Sequence, residues 1–169
     1  MSWALAMRLI ATFLASVLIA LPASAQETLT AEGLGPVKIG MNRKQVEKAL
    51  GAKLKLQMED PSCATADAPG GKAWFMFFNY RLVRIDVEKP GIATIEGAHV
   101  GMTERALKKL YGKQAKVSTH PYGAEPNDHY VEVRPPTRDR LLIFETKERR
   151  VESFRIGTKD AAPLIEGCS

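Results

Sequence analysis

Histidine and carboxylate side chains around one polar loop are the groups of this sequence that could hold a metal ion or move a proton. His120 and His129 flank the loop, and Glu125 and Asp128 lie within it. A zinc site needs three or four converging ligands, and these residues follow no standard ligand spacing. We therefore predict neither a metal ion nor another cofactor. A small envelope hydrolase or metal-dependent enzyme, with a pocket lined by His120, Asp128 and His129, is the alternative hypothesis.

Cys63 and Cys168 are the only cysteines of the chain, and we predict that they form one disulfide bond. They lack the Cys-x-x-Cys spacing of redox-active pairs, and the chain has no Gly-x-Ser-x-Gly motif of a serine hydrolase. The bond closes a loop of about 100 residues, which is worth roughly 4 to 5 kcal/mol in the chain-entropy model. Because no nucleophile is assigned, we predict no catalytic residue and do not expect an enzyme.

An aromatic run at positions 74–78, with the sequence Trp-Phe-Met-Phe-Phe, is the strongest candidate for a binding surface. In a strand, positions 74, 76 and 78 share one face and positions 75 and 77 share the other. Both faces are then apolar, so either the strand is buried on both sides or one set of side chains contacts a partner. Two tyrosines near the polar loop extend such a surface, because tyrosine is favoured at interfaces. The predicted partner-binding residues are Trp74, Met76, Phe78, Tyr122 and Tyr130.

The elements that must position these residues occur twice in the chain. The segment Val37-Lys38-Ile39-Gly40-Met41 is similar to Ala98-His99-Val100-Gly101-Met102, which lies 61 positions later. A further glycine, Gly51 or Gly112, follows each methionine by 10 positions. Apolar residues between these points also match, which indicates an internal repeat.

Each copy encodes a short amphipathic helix followed by strands. Asn42 or Thr103 is a favourable N-cap residue directly after the Gly-Met pair. Apolar residues then recur at helical spacing, and the later glycine supplies the left-handed conformation that ends a helix. Runs with strand-like alternation follow, and short polar turns at 79–81 and 147–149 join the last two strands of each copy. The predicted strands are Lys53 to Met58, Ala73 to Phe78, Leu82 to Glu88, Ala115 to Thr119, Tyr130 to Arg134, Leu141 to Thr146 and Val151 to Ile156.

These elements together predict an α+β fold for residues 26–169, which we expect to form a single domain. Two helix-plus-three-strand repeats, at about 33–90 and 94–157, form one antiparallel sheet with the helices packed against it. A C-terminal tail follows the second repeat. Because two short helices cover little of such a sheet, one face is expected to stay partly open.

The segment Ile39-Gly40-Met41-Asn42-Arg43-Lys44-Gln45-Val46-Glu47-Lys48-Ala49-Leu50-Gly51 resembles the SmpA/OmlA (BamE) group of small envelope proteins. In that group a similar Gly-Met segment at the start of a helix precedes a three-stranded sheet. The tandem copy is also similar to the β-lactamase inhibitor protein, which joins two such units into one curved sheet. The resemblance implies a scaffold whose sheet face or loops bind another protein, with neither catalysis nor a cofactor.

The first 25 residues predict a cleaved signal peptide. The single charge at Arg8 precedes an uncharged run from Leu9 to Leu21, and Ala23-Ser24-Ala25 forms a small-residue cleavage site. A retained membrane anchor needs an apolar run of about 20 residues, longer than this one. Gln26 follows the cleavage site where the SmpA-like lipoproteins carry a cysteine, so we expect no lipid or other membrane anchor after cleavage. The expected location is the periplasm or the medium outside the cell.

The charge of residues 26–169 is modest, with 23 basic and 19 acidic side chains and a net charge of +4. An excess of this size favours acidic partners only weakly. Basic residues are interleaved with acidic ones, as at positions 147–152, and nucleic acid is not an expected partner. The sequence therefore predicts a soluble periplasmic module that binds or inhibits another envelope protein and is not catalytic.

Overall fold

The computed structural model describes residues 27–57, 62–122, 126–137 and 139–168. The predicted signal peptide, residues 1–25, lies outside these ranges, and so do Met58 and Glu125. Within these ranges, none of the helices has the length and apolar character needed to cross a membrane.

Eleven strands and two α-helices make up the described part of the chain. The first strands are β1 (Glu27–Thr30), β2 (Gly33–Leu34), β3 (Val37–Lys38), β4 (Cys63–Asp67), β5 (Ala73–Phe78), β6 (Arg81–Val87) and β7 (Ile92–Thr94). The later strands are β8 (Lys116–Thr119), β9 (His129–Val133), β10 (Arg140–Lys147) and β11 (Arg150–Thr158). The helices are α1 (Arg43–Leu50) and α2 (Glu104–Tyr111), and a 3-10 turn, Gly112–Gln114, continues α2.

The strands form two sheets. The large sheet has seven strands in the order β4-β5-β6-β11-β10-β9-β8, and every neighbouring pair in it is antiparallel. The small sheet has the order β3-β2-β1-β7, and β1 and β7 run parallel in it. The middle strand of the large sheet is β11, which pairs with β6, and each of these two strands is the second strand of a hairpin.

The predicted α+β fold of two helix-plus-three-strand repeats in one sheet is wrong, because the described chain is mostly β and contains a second sheet. Each helix has eight residues and is therefore about 12 Å long. Seven strands span about 29 Å across the sheet. Two such helices leave much of one sheet face uncovered, and the small sheet completes the covering layer.

The predicted helices are confirmed, and their caps follow from the sequence. The Asn42 side chain accepts a hydrogen bond from the backbone of Gln45, whose side chain accepts one from the backbone of Asn42 in return. The Thr103 hydroxyl accepts one from Ala106 at 3.2 Å. Gly51 has the left-handed conformation at φ 64° and ψ 19°. Gly112 has a positive φ of 54° but a ψ of −127°, so it ends α2 in another way.

Each Gly-Met segment forms backbone hydrogen bonds with the start of β6 or β11. Gly40-Met41 exchanges two backbone hydrogen bonds with Leu82, at 2.7 and 2.8 Å. Gly101-Met102 exchanges two with Val151, also at 2.7 and 2.8 Å. Both helices therefore begin directly beside the first residues of β6 and β11.

Six of the seven predicted strands are present with small shifts at their ends, but the strand predicted from Lys53 to Met58 is not formed up to Gln57. Side chains of α1 form hydrogen bonds with backbone groups of this segment. The Leu54 amide donates to the Glu47 carboxylate at 3.1 Å, and the Leu54 carbonyl accepts from Arg43 at 2.9 Å. The strand that pairs with β5 is instead β4, whose sequence Cys-Ala-Thr-Ala-Asp carries a weak strand signal.

The two predicted turns are tight hairpins with positive φ at both central residues. These residues are Asn79 and Tyr80, with φ of 47° and 62°, and Glu148 and Arg149, with φ of 49° and 62°. Such turns match the twist of paired strands, and glycine is normally favoured at their second position.

The Tyr80→Gly variant is expected to raise the free energy of unfolding by about 1 kcal/mol, because glycine adopts positive φ without steric cost. Urea unfolding measures this gain. The matched Arg149→Gly variant is expected to gain less, since Arg149 donates two hydrogen bonds to Asn127, at 2.9 and 2.8 Å. A loss of stability in Tyr80→Gly contradicts the prediction.

One face of the large sheet, here called the core face, packs against the helices and the small sheet. Along β5, Phe75 and Phe77 point to this face, and they belong to a single cluster with Val46 of α1 and Leu107 of α2. Side chains of this cluster with no exposed surface include Val37, Val46, Phe75, Leu82, Ile85, Leu107, Phe144 and Phe154. The opposite face of the sheet is therefore the one without helices.

Candidate functional site

The opposite face of the large sheet, here called the tail face, carries the other side chains of the aromatic run. Trp74 and Met76 of β5 lie directly across from Asp86 and Arg84 of β6, and Asp86 lies across from Arg155 of β11. Side chains alternate between the two faces of a strand. A row of charged groups thus crosses the middle of this face beside Met76.

The C-terminal tail, residues 159–168, lies over the charged row. Arg84 donates through Nη1 to the carbonyl oxygens of Ala161, at 3.2 Å, and Leu164, at 2.5 Å. Arg155 donates through Nε to the carbonyl oxygen of Ala162 at 2.6 Å. Two guanidinium groups that rise from the sheet therefore hold the first part of the tail.

The end of the tail is fixed by the predicted disulfide bond, which is confirmed. Cys168 is bonded to Cys63 of the edge strand β4, with their Cα atoms 5.4 Å apart and 105 positions between them in sequence. Disulfides of this kind form in chains that fold outside the reducing cytoplasm.

The charged row consists of paired side chains. Arg84 donates to the Asp86 carboxylate at 2.8 Å, and Arg155 forms an ion pair with Glu145 of β10. Arg84 has 1 % of its surface exposed and Arg155 has 4 %. Burying a charge is costly unless it is paired, so each arginine needs both its carboxylate and the carbonyl groups of the tail.

Burial changes the acidity of these carboxylates in different ways. Burial raises the pKa of Asp86 to about 7, although the neighbouring charge of Arg84 opposes the rise. Burial alone raises the pKa of Glu145 too, but the hydrogen bond and charge of Arg155 hold that pKa below its ordinary value. Asp86 therefore binds a proton near neutral pH, whereas Glu145 stays ionised.

An aromatic and histidine cluster continues the row toward β9. The Tyr130 ring lies 5.3 Å from the Arg155 guanidinium, and the His120 ring meets Tyr130 edge-on with centroids 4.4 Å apart. The Tyr130 hydroxyl and Arg155 Nη2 are buried and have no partner with hydrogen-bond geometry in the described parts of the chain. Burial raises the pKa of the Tyr130 hydroxyl, so it stays protonated.

The predicted partner-binding residues fall into two groups by exposure. Met76 and Tyr130 are buried, with 0 % and 7 % of their surface exposed, so the fold keeps them from a partner while the tail is in place. Phe78 and Tyr122 are exposed, at 46 % and 68 %. Trp74 is half-buried, because its ring covers the Arg84 guanidinium at 4.9 Å and its Nε1 donates to Glu88.

The alternative site at the histidines does not assemble. His129 Nδ1 lies 2.7 Å from the Glu104 carboxylate of α2, on the core-face side of the sheet, whereas His120 lies against Tyr130 on the tail face. The Asp128 carboxylate accepts the Glu148 amide instead. Considering the residues that the structure describes, no group of three metal-binding side chains is present.

Sequence reasoning missed the apolar side chains that the tail adds to this face. Leu164 and Ile165 are 45 % and 37 % exposed. The Leu164 carbonyl accepts a hydrogen bond from Arg84, whose guanidinium lies against the Trp74 ring. Phe78 lies across from Cys63, to which the tail is linked by the disulfide. We call Trp74, Phe78, Leu164 and Ile165 the tail patch. The predicted pairing of Cys63 with the chain end was the available signal, because it draws the tail onto β4.

A separate cleft of about 320 Å³ lies between the small sheet, α2 and one end of the large sheet. The Tyr111 hydroxyl is 2.8 Å from Thr94 Oγ1 and donates to Glu96 at 3.0 Å. Burial raises the pKa of Tyr111. At the rim, Thr137 donates to Glu32 at 3.4 Å. Because these polar groups are already hydrogen-bonded to one another, the tail patch is the better candidate for a binding site.

Comparison with known proteins shows the fold and not a family. No family model and no curated protein sequence matches the chain. The fold is similar to that of the uncharacterized protein YfeY from Escherichia coli, with a TM-score of 0.51 and 13 % identity, covering 78 % of this chain and 99 % of that one.

A second similar structure is an extracellular protein containing an SCP domain from Bacillus anthracis strain Ames. The TM-score is 0.50 and the identity 8 %, covering 72 % of this chain and 44 % of that one. Neither structure is named as an SmpA/OmlA protein or a β-lactamase inhibitor protein, so that resemblance stays a prediction. At these identities the likeness shows a shared fold, and function has to be argued from the site.

Proposed function

We propose that the protein is an exported, non-catalytic module that binds another protein of the bacterial envelope through the tail patch. The observation that carries the proposal is a set of apolar side chains left exposed on β5 and on the tail, both of which are firmly held. Phe78, Leu164 and Ile165 are each more than a third exposed. Exposed apolar surface in one place is typical of sites that bind proteins.

The contacts that hold the tail patch in place support a role in binding. The disulfide fixes one end of the tail, and Arg84 and Arg155 fix the other. A surface that is already ordered loses little conformational entropy when a partner binds, and that raises affinity. Trp74 and Phe78 come from β5, the second strand of the sheet, and are equally fixed.

The chemistry around the patch favours a protein as the partner. The patch consists of aromatic and aliphatic side chains, and two carboxylates lie next to Trp74; apolar side chains bordered by polar ones are typical of protein interfaces. Glu88 accepts from the Trp74 indole at 2.8 Å, and Asp67, across from Trp74, accepts from Gln57 at 3.0 Å. This acidic rim fits a partner with apolar side chains flanked by basic ones.

The proposed location is the periplasm or the medium outside the cell. The disulfide supports folding in an oxidising compartment. The predicted signal peptide, residues 1–25, supports export.

The test is affinity capture from an envelope extract with the oxidised protein as bait. The Phe78→Ser, Leu164→Ser, Ile165→Ser triple variant is expected to lose its captured partner, because aromatic and apolar anchors at an interface are each worth about 2 kcal/mol or more. The Val117→Ser variant is a matched control, since Val117 is 41 % exposed but lies on the core-face side of β8.

Two outcomes count against the tail patch. One is a triple variant that captures the same proteins as the parent chain. The other is a loss that the Val117→Ser variant shares, since that indicates general adhesion of apolar surface. Thermal unfolding of each variant checks that the fold is kept. A Tyr122→Ser variant, which also removes an exposed aromatic side chain, reports whether the predicted extension along the polar loop takes part.

A further inference from the structure

The outer surface of α1 carries a cluster of basic side chains. Arg43 and Lys53 are both 3.1 Å from the Glu47 carboxylate and are therefore paired. Lys44 and Lys48, one helical turn apart, are exposed and form no ion pair with a described residue. The free cations of α1 thus stand side by side on its solvent face.

The outer surface of α2 has the same arrangement 61 positions later. Lys108 lies 3.3 Å from the Glu104 carboxylate and is paired. Arg105 and Lys109 correspond to the free lysines of α1, and they too are exposed and form no ion pair within the described ranges. Arg149 and Arg150, at the turn between β10 and β11, stand beside them.

Charge is concentrated on these two helix surfaces. Each lines an open depression and has a net charge of +3. Together they carry +6, more than the net charge of +4 for residues 26–169, so the rest of that segment is net negative. Nine basic side chains are offset by the carboxylates Glu47, Glu104 and Glu148. The basic residues are Arg43, Lys44 and Lys48 of α1 with Lys53 shortly after it, and Arg105, Lys108 and Lys109 of α2 with Arg149 and Arg150 beside the nearby turn.

Both helix surfaces face the same side of the molecule. Val46 of α1 and Leu107 of α2 pack into the same cluster on the core face of the large sheet. Asn42 at the start of α1 pairs with Arg81 of β6, and Thr103 at the start of α2 pairs with Arg150 of β11. Since β6 and β11 are antiparallel neighbours, the two pairings lie at opposite ends of these strands, about 30 Å apart.

We propose that the protein lies on a membrane of anionic phospholipids, with both basic helix surfaces toward the headgroups. Two basic areas that face one way at a distance fit a flat, extended anionic surface, whereas a single polyanionic chain is better matched by one continuous basic groove. Basic side chains close to such a membrane each add to the attraction of the anionic headgroups. Two areas that bind together gain further affinity from their linkage.

This orientation is compatible with the proposed function and does not depend on it. The tail patch lies on the opposite face of the large sheet, so it points away from a membrane held by the helices. A protein bound to the tail patch is then presented at the membrane surface.

The experiment is co-sedimentation of the oxidised protein with vesicles of phosphatidylcholine, with and without phosphatidylglycerol. Binding is expected only with phosphatidylglycerol, and it is expected to weaken as salt is raised, because salt screens exposed charges. The Lys44→Glu, Lys48→Glu variant and the Arg105→Glu, Lys109→Glu variant are each expected to bind at least about tenfold more weakly. The combined variant is expected not to bind.

The control is the Lys89→Glu, Lys159→Glu variant, which makes the same change of charge at two exposed lysines outside both helix surfaces. It is expected to keep most of its binding. Because all of these substitutions are on the surface, thermal unfolding is expected to change little. Lysine-to-glutamine and arginine-to-glutamine versions, which remove charge without reversing it, give a second measure with smaller losses.

The proposal is overturned if the parent protein binds vesicles with and without phosphatidylglycerol equally, or binds neither. An equal loss in the control variant also overturns it, because net charge is then the cause. Binding to soluble polyphosphate without binding to vesicles assigns the basic surfaces to an anionic polymer and likewise rejects the membrane.

Discussion

Replacement of both Cys63 and Cys168 by serine is expected to lower the free energy of unfolding by about 4 to 5 kcal/mol. The bond links residues 105 positions apart, and without it the unfolded chain regains the conformational freedom that this long loop had removed. A single domain commonly has only about 5 to 15 kcal/mol of stability in total. Urea unfolding of the oxidised parent protein and the double variant, compared under the same conditions, measures the difference.

Fluorescence supplies a local readout of the same change. Trp74 is the only tryptophan after residue 25, and its ring lies beside Gly167 of the tail and over Arg84. Release of the tail is expected to expose this indole and shift its emission to longer wavelength before global unfolding. Reduction of the parent protein by a dithiol is expected to give the same shift.

The single serine variants are the control for the double variant. Single replacement of either cysteine is expected to match the double variant, since each removes the same bond. A double variant whose unfolding midpoint equals that of the oxidised parent contradicts the prediction. In that case the arginine contacts of the tail are sufficient to hold it.

The Arg84→Met variant is expected to lose about 3 to 5 kcal/mol of stability at pH 8, because removing one partner of a buried ion pair leaves the other charge uncompensated. Arg84 has 1 % of its surface exposed, and its partner Asp86 has 6 %. The variant also leaves the carbonyl groups of Ala161 and Leu164 without the donor that now holds the tail. Thermal or urea unfolding measures the loss.

The pH dependence of this loss tests the assignment to Asp86. Burial raises the pKa of Asp86 from 3.8 to about 7 in the folded protein. The folded state therefore holds a proton that the unfolded state has released between these values, so the contribution of Asp86 to stability falls as pH rises from about 4 to 7. At pH 5 Asp86 is neutral with or without Arg84, and the loss in Arg84→Met is expected to be smaller than at pH 8.

Other charges near Asp86 modify the size of this effect and not its sign. The charge of Arg155 lowers the pKa of Asp86, and that of Glu88 raises it. Arg81→Met is the matched control, because Arg81 lies on the same strand but is exposed, and its side chain donates to the Gly40 carbonyl at 3.2 Å. It is expected to cost about 1 kcal/mol or less at both pH values. An equal loss for Arg84→Met at pH 5 and pH 8 rules out Asp86 as the cause.

The sequence by itself determined the features that depend on neighbouring residues. Asn42 and Thr103 cap their helices because a polar side chain there bonds an amide three positions later. The hairpin turns at 79–81 and 147–149 follow from polar residues between alternating strands. The disulfide is a long-range contact, but with two cysteines in the chain there is one way to form it.

The fold class depended on contacts that no local pattern encodes. Strands β2 and β3 have two residues each, too few for an alternation of apolar and polar side chains to be recognised. The segment after α1 has the composition of a strand, but side chains of α1 take up the backbone groups of Leu54 that a neighbouring strand would need. Pairing partners decided the structure in both places, and the predicted α+β arrangement failed for this reason.

The tertiary structure alone decided which side chains form a site. His120 and His129 lie nine positions apart in sequence, yet one contacts Tyr130 on the tail face and the other contacts Glu104 below the core face. Met76 belongs to the predicted binding set but is buried, and it lies on the face over which Arg84 and the disulfide hold the tail. Exposure of a strand face depends on what the rest of the chain places over it, and the position of a tail is fixed by contacts far apart in sequence.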